Sequence, residues 1–386
     1  MKKAVVVGGS NGIGLAISKS LSDRGYSINI LDIVMPDKEI DNANYFPCNL
    51  LDFNEDLFEI MSKDDDIECL MITAGFGRVT NFEYLHPAEI QNLMQVNATA
   101  CMKIVRYFYD KLKSKKTFFC GIMGSIAGWV SSPLFSVYAA SKAALCRFIE
   151  SVNIELEVSG TDNRILNVCP GSVSGTRFNG GKNNLTKIEA LAEEITNKMF
   201  SRTELYIPKY IETFKGVIEQ YQNDPHAYGL HSYEYKIRSG RVITEQRICI
   251  GYLSGTFDLF HVGHLNLLHR AKQQCDYLIV GVHPDAKHKG KETFIPFDER
   301  KQIVGACRYV DKVVESCPED SDAWNLWHYN KLFVGSDYKG TDRFNRYEAF
   351  FKDKSVEIIY FPYTQGTSST QIRKIIFDKT KDIEKE

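Results

Sequence analysis

The sequence predicts an α/β protein: two Rossmann-like, doubly wound parallel-sheet domains in tandem. Three observations carry this. At 386 residues the chain is long enough for more than one core. A glycine-rich turn, Gly8 to Gly14, follows a short apolar run, Ala4 to Val7, and opens a helical pattern that continues to about Arg24. The same succession recurs at Ile248 to Lys272. Strands alternating with helices imply parallel sheets, because a parallel neighbour is reached through a crossover. We expect domains at 1–228 and 246–386. Between them, 229–245 is polar, carries several tyrosines, lacks a clean period and reads as a linker.

Composition narrows the function classes. Charged residues make up 25% and hydrophobic residues 44%, as in ordinary globular proteins. A net charge of −2 gives no basic field for nucleic acid or an anionic membrane. No apolar run approaches the roughly 18 residues of a membrane span, and the N-terminus has no signal-peptide layout. The ten cysteines are scattered, several inside apolar runs, and none shows metal-ligand spacing. They read as reduced core thiols of a cytoplasmic protein whose partners are small molecules.

In the N-terminal part, Ala4-Val5-Val6-Val7 is a β-branched strand. Gly8, Ser10, Asn11, Gly12, Ile13 and Gly14 form the turn into the first helix. A helix N-terminus opening from a glycine turn is an anion cradle suited to a dinucleotide pyrophosphate. Tyr26 to Leu31 is the second strand, and Asp32 ends it. A carboxylate there takes ribose hydroxyls and repels a 2′-phosphate, and no Arg or Lys stands at Asn11 or Ile33. NAD(H) is therefore favoured over NADP(H).

Tyr138-Ala139-Ala140-Ser141-Lys142 puts Tyr138 and Lys142 on one helical face. Ser125 follows the strand Thr117 to Met123, Asn97 lies in a helical stretch, and Pro170-Gly171 ends the strand Ile165 to Cys169. A free tyrosine titrates near 10; a neighbouring ammonium, and the positive nicotinamide when oxidised, should draw it toward working pH. With Gly8, Gly12 and Gly14, these residues resemble the short-chain dehydrogenase/reductase family over roughly 1–230. The resemblance implies that Tyr138 protonates a developing alkoxide, Ser125 holds the carbonyl oxygen, Lys142 holds the nicotinamide ribose and Asn97 anchors a water relay. It also implies cofactor contacts from Asn49, Leu50, Ala74, Gly75, Val173 and Thr176, and a homo-oligomer, dimer or tetramer. Departures are Ile72-Thr73 where the family has two asparagines, Asn49 where it has aspartate, and Val7 where it has threonine. The segment 172–200 should close over substrate, with Arg177 and Lys182 able to hold a phosphate.

Tyr206-Ile207-Pro208 reads as the end of the last strand of this part, and Ile211 to Gln222 as a helix stopped at Asn223-Asp224-Pro225. In the C-terminal part, Gly255-Thr256-Phe257-Asp258-Leu259-Phe260-His261-Val262-Gly263-His264 joins a strand to a helix. His261 and His264 stand at the helix start, where backbone N–H groups and the positive dipole end gather. Later come Lys287 to Lys291, Phe297 to Arg300, Arg308 to Val314, Phe333 to Asp337 and Thr364 to Thr370. Together they resemble the cytidylyltransferases related to glycerol-3-phosphate cytidylyltransferase. That resemblance implies CTP and Mg2+. His261 and His264 would act on the transferring phosphate, Lys289, Lys291 and Arg300 would hold the other phosphates, and Asp337 would contact the nucleotide. Thr367, Ser368 and Ser369 open a second helix aimed at phosphate. Tyr363 departs from the family, which has arginine there.

Two such domains suggest consecutive steps: reduction of a ketose phosphate, then activation of the polyol phosphate as a CDP-polyol for surface polysaccharide. One rival is that only one domain is catalytic and the other is a binding or assembly module. In another, the two activities act on separate intermediates.

Overall fold

The computed structural model describes residues 2–36, 39–176, 178, 183–244, 248–286, 292–362 and 371–375. The chain divides into two compact units, Met1–Gln246 and Arg247–Glu386.

The first unit holds a sheet of β1 (Lys3–Val7), β2 (Ser27–Asp32), β3 (Ala43–Pro47), β4 (Ile67–Ile72), β5 (Phe119–Met123), β6 (Ile165–Val168) and β7 (Leu205–Tyr206). Their spatial order is β3-β2-β1-β4-β5-β6-β7, every pair parallel. β1 shows why the chain folds this way. Its side chains alternate between two buried layers: Val5 and Val7 pack with Leu70, Ile72 and Ile104, while Ala4 and Val6 pack with Ile17, Leu21 and Met71. A strand covered on both faces needs an unbroken apolar run, which is what Ala4 to Val7 is.

The second unit repeats the plan with β8 (Ile250–Gly255), β9 (Tyr277–Val282), β10 (Lys312–Glu315), β11 (Lys331–Gly335) and β12 (Glu357–Phe361). The order is β10-β9-β8-β11-β12, again all parallel. Leu253 faces one layer and Tyr252 the other. In each sheet the order reverses beside its first strand, β1 or β8. Loops at the carboxyl end of that strand therefore flank an open crevice. No helix among the described residues is long and apolar enough to cross a membrane.

One local expectation needs correction. The stretch expected as linker, 229–245, is helical through Arg238, within the helix Pro225–Arg238, which Asp224 caps by accepting from Ala227 N–H at 2.9 Å. The buried Lys236 donates to Ser132 Oγ at 2.7 Å and to Pro133 O at 2.8 Å. Ile243 N–H donates to Val79 O at 2.8 Å. The segment is part of the first unit's body. Its weak period follows from exposure: Leu230, Tyr233 and Tyr235 of this helix face solvent, so no apolar stripe is needed there.

Candidate active sites

The first cradle lies where β1 runs into the helix Gly12–Asp23. Its glycines are steric requirements. Gly8 has φ +83°, and a Cβ there would meet Ala74 N at 2.5 Å. A Cβ on Gly14 would stand 2.1 Å from Gly8 O, so helix and strand end could not approach. Asp32 at the tip of β2 accepts from Ser10 N–H at 3.0 Å and from Ile33 N–H at 2.7 Å, which fixes its carboxylate beside the loop. Ser10 Oγ is buried without a hydrogen-bond partner among the described residues. An orphaned hydroxyl in a glycine cradle fits a loop built for a phosphate-bearing ligand. Ala74 N–H is tied to Val7 O at 3.1 Å, and the Thr176 side chain comes within 3.5 Å of where a Gly12 Cβ would be. Gly171 is forced by Phe214, whose ring would lie 2.3 Å from an added Cβ. Leu50 is buried, its carbonyl accepting from Gln95 Nε2 at 3.2 Å, whereas Asn49 Oδ1 is occupied by Leu51 N–H at 3.0 Å.

Sequence reasoning missed Asn183. Its Oδ1 accepts from Gly12 N–H at 3.3 Å, and its Nδ2 donates to Asn11 Oδ1 at 2.9 Å. Nothing local marks an asparagine 171 residues away as part of this loop.

Tyr138 and Lys142 sit on the helix Ser136–Val158, both buried. Lys142 Nζ donates to Met123 O at the end of β5 at 2.7 Å and stands 5.8 Å from the Tyr138 ring centre. Ser125, just past β5, accepts from Ala127 N–H at 3.2 Å and lies close enough to the Tyr138 hydroxyl to influence its titration. The phenol is stacked on Phe135, with ring centres 4.1 Å apart, and tilted against Phe178. Burial pushes the Tyr138 pKa up to about 12, against a smaller opposing pull from Ser125. This corrects the expectation that Lys142 draws the phenol toward neutral pH. Burial also pushes the lysine's own pKa down, and its ammonium is spent on a carbonyl. Asn97 lies in a π-turn, Gln95–Thr99. Its side chain exchanges hydrogen bonds with Phe76, Oδ1 accepting from N–H at 3.0 Å and Nδ2 donating to O at 2.8 Å, and also donates to Ser141 Oγ at 3.2 Å. Both Nδ2 protons are thus spent, so a link from Asn97 to Lys142 has to be made as an acceptor, through the second lone pair of Oδ1 or the backbone carbonyl.

The second cradle lies between β8 and the helix Val262–Lys272. His261 caps that helix, its Nδ1 accepting from Gly263 N–H at 3.0 Å, and His264 Nδ1 accepts from His261 N–H at 3.4 Å. The rings lie 4.1 Å apart at 28°. Because both Nδ1 atoms accept, each neutral ring carries its proton on Nε2. Burial pushes the His261 pKa down. Thr256 Oγ1 is buried with no hydrogen-bond partner among the described residues, as Ser10 Oγ is in the first cradle. Phe257 and Leu259 both hold left-handed backbone, φ +53° and +50°. That is strained for residues with large side chains, and strain of this kind collects at ligand-binding loops.

Asp258 holds the strained loop. Its carboxylate accepts from Phe294 N–H at 3.1 Å and Ile295 N–H at 2.9 Å, and pairs with Arg373. Arg300 is the clearest departure from expectation. Its side chain is fully buried, Nε donating to Ile295 O at 2.9 Å and Nη2 to Pro284 O at 2.7 Å. Nη1 donates to Thr256 O at 2.6 Å and His283 O at 2.7 Å. Four of its five N–H donors are thus spent on carbonyls, and it braces the loops instead of facing a phosphate. Asp337 is exposed, its carboxylate lying over Gly335. Lys289, Lys291, Thr367, Ser368, Ser369, Tyr363, Arg177 and Lys182 lie outside the described residues. No group of three or more His, Cys, Asp or Glu able to hold a metal occurs among the described residues.

Comparison with known proteins separates the two units. Residues 2–186 match the short chain dehydrogenase family model, and residues 252–375 match the cytidylyltransferase-like model. The chain joins a member of the short-chain dehydrogenase family to a member of the cytidylyltransferase family. The glycerol-3-phosphate cytidylyltransferase of Bacillus subtilis is 38% identical over 126 residues, 32% of this chain and 92% of that protein. The ethanolamine-phosphate cytidylyltransferase of Dictyostelium discoideum is 37% identical over 139 residues, 33% of this chain and 37% of its own length. An uncharacterized oxidoreductase of Saccharomyces cerevisiae is 24% identical over 187 residues, 45% of this chain and 61% of its own. Both units belong to enzyme families.

Proposed function

We propose that the enzyme makes a CDP-polyol in two steps: it reduces a ketose phosphate to a polyol phosphate, then transfers CMP to that phosphate from CTP. CDP-ribitol and CDP-glycerol are the candidate products, destined for surface polysaccharide. The observation that carries the reading is the repeated cradle. At the carboxyl end of each sheet's first strand, the loop into the next helix carries a buried hydroxyl, on Ser10 or Thr256, with no partner among the described residues.

In the first step, a bound NADH supplies the hydride. Tyr138 is the proton source: a phenol with a pKa near 12 keeps its proton at neutral pH until an alkoxide forms beside it. Ser125 shares the hydrogen bond at that oxygen, where negative charge grows. The Phe135 and Phe178 rings beside Tyr138 keep water from the phenol. Asp32, fixed beside the glycine loop, favours NAD(H) over NADP(H) by repelling a 2′-phosphate.

In the second step, a phosphate oxygen of the polyol phosphate attacks the α-phosphorus of CTP, and the bond to the β-phosphate oxygen breaks. Pyrophosphate leaves. No protein nucleophile is required, so the work is positioning and charge stabilisation. The Nε2–H groups of His261 and His264 donate to the phosphoryl oxygens as charge builds on them.

The test uses the full chain with CTP, magnesium and a panel of polyol phosphates, read by pyrophosphate release. A parallel panel of ketose phosphates is read by NADH absorbance. His264→Ala should lower pyrophosphate release about 10²–10³-fold, the range for removing one oxyanion donor, while NADH oxidation continues. Undiminished release in that variant refutes the site assignment.

A further inference from the structure

Lys236 is buried on the helix Pro225–Arg238, beyond the residues 2–186 that match the dehydrogenase model. No carboxylate pairs with it among the described residues. Its three N–H groups go instead to Ser132 Oγ at 2.7 Å, Pro133 O at 2.8 Å and Ser232 Oγ at 3.3 Å. Burial pushes its pKa down to about 8, and the Arg241 charge pushes the same way. A buried cation without a counter-ion is unfavourable, so what those three contacts hold matters.

Ser132 and Pro133 belong to the loop that enters the helix carrying Tyr138 and Lys142. The next residue, Leu134, has left-handed backbone at φ +63°, a strained state for a large side chain. Such a state persists only where the surroundings hold it. Here the holders are Lys236 on Pro133 O and Thr80 N–H, which donates to Leu134 O at 2.7 Å. Phe135 follows, with its ring stacked on the Tyr138 phenol. The stretch 77–80 forms the facing wall: a Cβ on Gly77 would stand 2.7 Å from Tyr138 Cδ2 and 2.9 Å from Phe135 Cε2. That wall is tied to the same tail. Thr80 Oγ1 donates to Ile243 O, and Ile243 N–H donates to Val79 O. The segment from Pro225 to Ile243 thus clamps both sides of the slot in which the phenol sits.

We propose that Lys236 is a positioning residue of the reductase site: through Pro133 and Leu134 it keeps Phe135 against the Tyr138 phenol, so that the proton donor stays dry and in place. The inference rests on the reductase reading above. Loss of the lysine's proton would leave two N–H donors and a lone pair that can accept from a serine hydroxyl, so the clamp does not hinge on the charge.

The test uses the full chain at pH 7 with NADH and, as probes, ribulose 5-phosphate and dihydroxyacetone phosphate. Wild type is compared with Lys236→Met, Ser132→Ala and the double variant. Lys236→Met should lower kcat for NADH oxidation at least tenfold, measured well below its Tm, with NADH affinity by fluorescence titration unchanged. Ser132→Ala should lower kcat by a smaller factor, and the double variant should be no slower than Lys236→Met, because both changes cut one connection. A lower Tm with kcat unchanged would show that Lys236 only supports the fold. NADH affinity falling as far as kcat would show a disturbance that is not confined to the phenol slot, and losses that multiply in the double variant would show two unrelated effects. Any of these overturns the inference. Should Lys236→Met unfold, Ser132→Ala and Lys236→Arg decide by the same split between kcat and NADH affinity. A wild type that oxidises no NADH with either probe overturns the reductase reading and this inference with it.

Discussion

Arg300 offers the sharpest separation of a structural from a catalytic arginine. The sequence puts it close to a basic loop, where it reads as a phosphate ligand. The structure buries it completely and commits it to Ile295, Thr256, His283 and Pro284 carbonyls. Replacing it by methionine keeps much of the volume and removes every donor. Each orphaned carbonyl costs about 1–3 kcal/mol if it stays buried. Four at the low end give about 4 kcal/mol, a large part of the ~5–15 kcal/mol that holds a domain folded. For a unit of this size that corresponds to a fall in Tm of roughly 12 °C, at ~3 °C per kcal/mol. Two of the three tryptophans, Trp324 and Trp327, lie in the second unit, so thermal unfolding followed by tryptophan fluorescence reports on it. CTP affinity measured well below the transition should fall by less than threefold. A variant with unchanged Tm and a tenfold or greater loss of CTP affinity would refute the bracing role and restore the phosphate ligand.

Two further predictions concern the first unit. Tyr138→Phe should lower NADH-dependent reduction about 10²–10⁴-fold, the range for losing a general acid, with NADH affinity by fluorescence titration unchanged. Because burial raises the Tyr138 pKa to about 12, the protonated form persists through neutral and mildly alkaline pH. The reduction rate should therefore stay level from pH 6 to 9, and the reverse oxidation should climb over the same range; reduction that declines already at pH 7 contradicts this. Asp32→Ser should narrow the preference for NADH over NADPH by at least tenfold in kcat/KM, measured with both coenzymes.

Much of both sites could be read from the sequence because local rules write them. The strand, glycine turn and helix of Val7 to Gly14 form a contiguous pattern, and so does the run from Gly255 to His264. Tyr138 and Lys142 share a face because helices repeat every 3.6 residues. What escaped is set by pairing across long separations. Asn183 reaches Gly12 across 171 residues and Arg373 reaches Asp258 across 115, and no window of sequence contains both ends. The opposite error has the same source. Arg300 and the phenol of Tyr138 were given chemistry from their neighbours in sequence, whereas burial, which the sequence does not display, decides what each can do. The helix Pro225–Arg238 was missed because a half-exposed helix needs no regular apolar stripe.

The two histidines show how local capping and chemistry become one device. At a ring separation of 4.1 Å, two imidazolium charges would repel by about 4 kcal/mol at an effective dielectric constant near 20. Burial, which pushes the His261 pKa down, acts in the same direction. Two charged rings at once are therefore disfavoured, and His261 favours its neutral form. A neutral imidazole has one donor and one acceptor, and here the backbone decides which is which. Gly263 N–H and His261 N–H each present a proton to Nδ1, so Nε2 of each ring must carry the donor. The hydrogen bonds that start the helix thus also set the tautomer needed to meet phosphoryl oxygens. Protonating either ring would remove the Nδ1 acceptor, leave an N–H of the helix's first turn unpaired and loosen the cap. Cap and catalytic donor stand or fall together. The strained loop lies directly before this cap: Asp258, anchored by Phe294 and Ile295 N–H, stands between Phe257 and Leu259, both in left-handed backbone.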